Sequence, residues 1–227
     1  MDYAYVGIYL LVLIVPLIAT VNIKSNYSKY KKIENKNKLS GFEVARKVLD
    51  ANGLNDLYIV EVSGELTDHY DPSQKVVRLS TDIYHGETIA AAAVAAHECG
   101  HAIQDKVGYS MLRLRTTFVP IVNIVTYSAY ILLLISIIFS SMDCLMISIV
   151  AVLFGLAFQV ITLPVEFNAS KRALDNLKEL NLVDKKEHEG TKKMLTAAAL
   201  TYVAAVLSSV LNLLRLVMAA QERNGRR

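Results

Sequence analysis

Charge is scarce in this chain, and it is missing in long stretches. Only 20% of the 227 residues are Asp, Glu, Lys or Arg, against 53% that are apolar. The formal net charge of +3 is small and indicates no nucleic-acid partner. Cysteine is limited to Cys99 and Cys144 with no CxxC spacing, which excludes both a disulfide framework and a cysteine-rich zinc site. There is no glycine-rich phosphate loop and no internal repeat, so neither a nucleotide-binding loop nor a repeat array is indicated.

What is present is the complement of these absences: apolar residues gathered in uninterrupted blocks. Tyr3 to Ile23 is about long enough to cross a bilayer at roughly 1.5 Å per residue. Only Met1 and Asp2 precede it, and no small-x-small cleavage site follows, so it reads as an uncleaved anchor and not a signal peptide. Lys24, Lys29, Lys31, Lys32, Lys36 and Lys38 come next and mark the cytoplasmic side. A solvated, partly disordered linker is the plainer reading of the same residues. Phe118 to Phe139 and Leu145 to Leu163 contain no Lys, Arg, Asp or Glu and suit a tight transmembrane hairpin, closed by Pro164. Leu195 to Leu214 is apolar enough for a further crossing, but that would place Arg223, Arg226 and Arg227 outside, against the charge bias. Three or four spans are therefore expected.

From Ser40 to Arg115 the composition is that of a soluble domain. Ser40 with Glu43 three residues on reads as a capping box opening a helix that ends at Asn52-Gly53. Leu57 to Val62 and Lys75 to Ser80 read as strands, with turns at Ser63-Gly64 and Tyr70-Asp-Pro72 between them. The second strand is expected either as a plain structural edge or as an edge that pairs with an extended peptide. Thr88 to Gln104 is a helix rich enough in alanine to pack closely against its neighbours.

That helix carries His97-Glu98-Cys99-Gly100-His101, an H-E-x-x-H motif. Two imidazoles four residues apart lie on one helical face, one turn apart, which suits two ligands on a single zinc ion. Glu98 stands beside the first, where it can take a proton from an activated water and pass it to a leaving amine. A catalytic zinc needs a third protein ligand. Gln104 and Val107 occupy the places of the glycine and histidine in an H-E-x-x-H-x-x-G-x-x-H motif, so the ligand must come from further along. Glu166, the first carboxylate after the hairpin, returns to the same membrane face; an acid marking the membrane boundary is the alternative. His69 and His85 read as turn or surface histidines, and His188 as part of a solvated charged loop. His188, Arg172 and Tyr202 remain open as donors to an oxyanion. Cys99 points away from the histidine face and reads as packing.

Three segments carry a family resemblance: Leu66-Thr-Asp-His-Tyr-Asp-Pro72, Ala95-Ala-His-Glu-Cys-Gly-His-Ala-Ile-Gln104 and Leu163-Pro-Val-Glu-Phe-Asn-Ala-Ser-Lys-Arg-Ala173. They resemble the bacterial membrane neutral zinc metallopeptidases of the YugP-like family. The order of anchor, H-E-x-x-H, hairpin and E-F-x-A is also similar to HtpX and the CAAX-prenyl proteases. The resemblance implies Glu166 as third zinc ligand. Those more distant relatives carry an aspartate four residues after the ligand glutamate, where this chain has Ser170. A carboxylate orienting a ligand histidine is thus not assured there.

The expected fold is α+β and mostly helical, a gluzincin-like zinc metallopeptidase domain fused to three or four transmembrane helices. Residues 1–23 form the anchor, 24–117 the soluble catalytic part, 118–163 the transmembrane hairpin, 164–194 a second cytoplasmic segment with the third ligand, and 195–227 an apolar helix with a basic tail. The expected activity is zinc-dependent hydrolysis of peptide bonds in membrane proteins or membrane-associated peptides. It would sit at the cytoplasmic face of the plasma membrane, with one zinc per chain on His97, His101 and Glu166 and Glu98 as general base. The rival from another class is a zinc-stabilised membrane scaffold without turnover. A transporter is disfavoured because the spans lack intramembrane charges.

Overall fold

The computed structural model describes residues 3–225. Met1 and Asp2 before the anchor, and Arg226 and Arg227 of the basic tail, lie outside the described residues. In chain order the elements are α1 (Tyr3–Tyr30), α2 (Gly41–Ala51), β1 (Tyr58–Val62), β2 (His69–Asp71), β3 (Val76–Ser80), α3 (Thr81–His85), α4 (Ile89–Lys106), α5 (Ser110–Ile138), α6 (Met142–Glu179) and α7 (Lys185–Gly225). The fold is mostly helical with one small sheet. Two compact units emerge: one comprises Met1–Thr20, Leu114–Leu163 and Thr201–Arg227, the other Val21–Arg113 and Pro164–Leu200.

The first unit is built from apolar helical segments whose side chains point outward. Leu13, Ile124, Leu134, Ile138, Phe139 and Val150 are all exposed, the inverse of a soluble helix, which hides such a face. Helices α1, α5, α6 and α7 are each long and apolar enough to cross a membrane.

The second unit has a conventional core. Val44, Ala45, Val48 and Leu49 of α2, Val77 and Leu79 of β3, and Ala90 to Ala93 of α4 are fully buried together. Helix α2 begins where a capping box is expected: the Ser40 hydroxyl accepts from the Glu43 amide at 3.2 Å, and Glu43 accepts from the Ser40 amide at 2.8 Å. The lysine-rich stretch after the anchor is ordered. Helix α1 continues to Tyr30, Glu34 bridges to Thr88, and buried Asn35 holds Leu39 by reciprocal hydrogen bonds of 2.7 and 3.0 Å.

Sheet order corrects one expectation. Strand β3 lies in the middle, parallel to β1 (Tyr58 opposite Val76) and antiparallel to β2 (Tyr70 opposite Val77). Lys75 to Ser80 is therefore no edge: both its hydrogen-bonding sides are occupied. Tyr70 and Asp71, expected with Pro72 as a turn, lie instead in the edge strand β2, and β1 is the other edge.

Pro164 does not close the second apolar block. A proline inside a helix costs about 3 kcal/mol, yet α6 runs through it to Glu179. Val165, Ala169, Ala173 and Leu177 are fully buried at spacings of four, so packing of that stripe holds the helix across the lost hydrogen bond. Beyond Glu179 the helix is terminated by Asn181, which adopts φ 53° while the Leu182 amide reaches back to the Leu177 carbonyl at 3.0 Å. Asparagine tolerates that left-handed turn better than most residues.

Candidate metal centre

Helix α4 starts cleanly: the Thr88 hydroxyl caps it by accepting from the Ala91 amide at 3.2 Å. The alanines that follow leave no bulk between α4 and its neighbours. Gly100 extends this economy to the opposite wall, since a Cβ there would lie 2.5 Å from the Ala169 carbonyl oxygen of α6. Only glycine permits that approach, and it brings Glu166 over the histidine face of α4.

The rings of His97 and His101 stand edge to face with centroids 4.8 Å apart. Glu166, 2% exposed, places Oε2 3.3 Å from His97 Nε2 and 3.6 Å from His101 Nε2. One potential ligand atom from each residue lies within 4.8 Å of the other two. Charge-assisted hydrogen bonds run to about 2.7–2.9 Å, shorter than these separations. A tetrahedral ion with bonds of about 2.0–2.1 Å spaces neighbouring donor atoms about 3.3 Å apart. The donor set of two imidazoles and a carboxylate, and its spacing, fit zinc.

The far side of each imidazole is also engaged. His97 Nδ1 lies 3.2 Å from the Ser170 hydroxyl, so a serine and not a carboxylate stands against that side of the imidazole. His101 Nδ1 lies 3.0 Å from Gln104 Oε1. Gln104 is fully buried, and its Nε2 donates to the Val165 carbonyl at 2.7 Å and to Asn168 Oδ1 at 3.0 Å. A carbonyl can only accept, so the amide's NH2 end must face Val165 and its oxygen must face His101. That oxygen can only accept, so the proton of neutral His101 sits on Nδ1. Nε2 then presents its lone pair toward Glu166, the form a metal ligand requires. Arg172 Nε donates to the same Asn168 oxygen at 2.8 Å and completes the brace.

Glu98 is buried beside this group, and its Oε2 accepts from the Tyr70 amide of β2 at 3.0 Å. Burial pushes the Glu98 carboxyl up to about 7; His97 opposes this, while the charges of Glu166 and Asp68 add to it. The segment Leu66 to Pro72 thereby acquires a physical reason. Asp68 accepts from the Ser80 amide at 2.7 Å, which pins β2's approach to β3, and the Tyr70 hydroxyl donates to Asp105 of α4 at 2.6 Å. Asp71 caps the following turn by accepting from the Ser73 amide at 2.9 Å. The whole segment holds one backbone N–H against Glu98.

Other candidates fall elsewhere. His69 bonds the Thr67 carbonyl at 2.7 Å, and His85 pairs with Glu61 at 3.1 Å; both are exposed. His188 is not in a solvated loop but half-buried in the first turn of α7, where Asp184 precedes the helix and accepts from the Glu187 amide. Arg172 is engaged with Asn168, and Tyr202 lies on α7. Buried Cys99 approaches the Ala45 carbonyl at 3.6 Å, a packing role, and both thiols are free. Sequence reasoning used Gln104 only to exclude a motif. Its position three residues after His101, on the same helical face, was the signal for its role.

Residues 5–221 match the family model described as "Putative neutral zinc metallopeptidase", and the chain belongs to that family. It is similar to the "Putative membrane protease YugP" of Bacillus subtilis (strain 168), 45% identical over 200 residues that cover 88% of this chain and 89% of the relative. No solved structure matches it. Family membership implies zinc, and four helices able to cross a bilayer, with a relative named a membrane protease, place the chain in a membrane.

Proposed function

We propose that this protein is a membrane-embedded endopeptidase in which His97, His101 and Glu166 hold one zinc ion per chain and Glu98 is the general base. The carrying observation is the convergence of two imidazole Nε2 atoms on Glu166 Oε2 at 3.3 and 3.6 Å, with each Nδ1 engaged on the opposite side. A zinc ion held by His97, His101 and Glu166 would supply Lewis-acid polarisation of a peptide carbonyl and activation of water near neutral pH. Glu98, held through Oε2 by the Tyr70 amide, accepts the proton of the attacking water and returns it to the departing amine. Its raised pKa suits both halves of that task. Glu98, His101 and Glu166 are all buried, which limits water around them.

The arrangement supports a gluzincin-like catalytic part, with the H-E-x-x-H pair on one helix and the glutamate on a later one. Its substrates are membrane proteins or membrane-associated peptides. The lysine-rich segments on either side of the apolar blocks support a catalytic side facing the cytoplasm.

Chelation tests the metal dependence. Purified protein treated with 1,10-phenanthroline is expected to lose cleavage of an unfolded test protein, and equimolar zinc to restore it. Cleavage that persists after zinc is verified to be gone would overturn the reading.

Gln104→Leu removes the acceptor that fixes His101. Zinc affinity, read by competition with a chromophoric chelator, is expected to fall about 10–100-fold while far-UV circular dichroism stays unchanged. Equal affinity in wild type and variant would remove Gln104 from the site.

A further inference from the structure

The unit of outward-facing apolar helices contains a charged cavity lined by none of the candidate metal ligands. Its volume is about 280 Å³, and its lining includes Arg215 and Arg223 of α7 with Tyr9 of α1, Ser136 of α5 and Leu145 of α6. The site lies at one end of the helical segments, because Ser136 is two residues from the end of α5 and Leu145 three residues from the start of α6.

Both guanidinium groups are held, and neither is neutralised. Arg215 lies over the Tyr9 ring, 4.9 Å from its centroid, and donates through Nη2 to Asn212 Oδ1 at 2.6 Å. Arg223 donates through Nη1 to the Ser136 carbonyl at 3.1 Å. Among the described residues no carboxylate forms an ion pair with either. Each guanidinium has five N–H donors, most of them unspent here. Two positive charges with donors to spare among the described residues, facing one cavity among leucines and an isoleucine, favour an anion there.

The geometry points to the phosphate group of an anionic phospholipid as that anion. A planar guanidinium fork matches phosphate oxygens, and two forks suit one phosphodiester. The remaining walls, Leu133, Ile137 and Leu216 among them, are apolar. The surrounding helix faces carry exposed Leu134, Ile138 and Phe139 on which acyl chains can lie. A cavity of about 280 Å³ accommodates a headgroup, not the chains. The aromatic face of Tyr9 fixes the plane of one guanidinium and so prepays part of the ordering that binding requires.

Native mass spectrometry of the full-length protein in detergent, titrated with phosphatidylglycerol, phosphatidylcholine or inorganic phosphate, tests this. Phosphatidylglycerol is expected to bind at least tenfold more tightly than phosphatidylcholine, and inorganic phosphate to leave its binding undisturbed at millimolar concentration. The double variant Arg215→Gln/Arg223→Gln should lose that preference, whereas Arg215→Lys/Arg223→Lys, which keeps the charge without the fork, should keep part of it. The lysine pair also covers the case in which the glutamine pair does not fold. Equal binding of the two lipids, a preference unaltered in whichever variant folds, or displacement of the lipid by inorganic phosphate would overturn the assignment.

Discussion

Glu98→Gln is expected to retain its zinc and lose proteolysis. The substitution preserves shape and leaves an oxygen able to accept from the Tyr70 amide, while removing the basic carboxylate. General-base catalysis contributes about 10²–10⁴-fold, so cleavage of a fluorogenic peptide should fall by at least about a hundredfold, with KM little changed if the base acts only in the transition state. Zinc content should stay at the wild-type level, because Glu98 is not among the three converging donors. This combination separates a peptidase from a zinc-stabilised scaffold, which has no use for a base at that position. Wild-type turnover in the variant would refute the assigned role.

Glu166→Ala is expected to have the largest effect on the metal. Glu166 approaches both histidines and is the sole donor that α6 contributes to the group. Its removal leaves two imidazoles on one helix, so zinc affinity should fall by more than the roughly 10–100-fold expected for an outer partner such as Gln104. Activity should fall with it. The fold should survive, since α6 is held by the Val165, Ala169, Ala173 and Leu177 stripe and not by the carboxylate. Full zinc loading in this variant would remove Glu166 from the ligand set.

Features that depend on neighbours in sequence were legible from the residues alone. The Ser40–Glu43 capping box and the alanine-rich helix with two histidines one turn apart are local patterns, and both are found. The pairing of Glu166 with His97 and His101 was expected from residue type, topology and family resemblance; Gly100 and Ala169 supply the close helix approach that makes it possible. Sheet order was not legible. Strand β3 alternates like an edge strand, but its central place depends on β2, three residues whose Tyr70 and Asp71 read, with the following Pro72, as a turn. Helix α6 was cut short at Pro164 because a local penalty was weighed without the buried stripe beyond it. The charged run at Lys185 to Glu189 looked like a loop, although Asp184 caps the helix it begins.

Ser170 and Gln104 orient the two imidazoles differently. A serine hydroxyl offers His97 a neutral hydrogen bond in place of a carboxylate's charged one, about half as strong. Gln104, fixed by the Val165 carbonyl, gives His101 a partner with only one possible polarity. The two imidazoles are therefore braced by different means, and His101 is the more firmly set of the two.

Zinc K-edge X-ray absorption on the purified wild-type protein tests the central claim most directly. One zinc per chain is predicted, with an inner shell of nitrogen and oxygen at about 2.0–2.2 Å, two imidazole signatures and no sulfur. A spectrum with a sulfur shell, with fewer than two imidazoles, or with no stoichiometric zinc at all would contradict it.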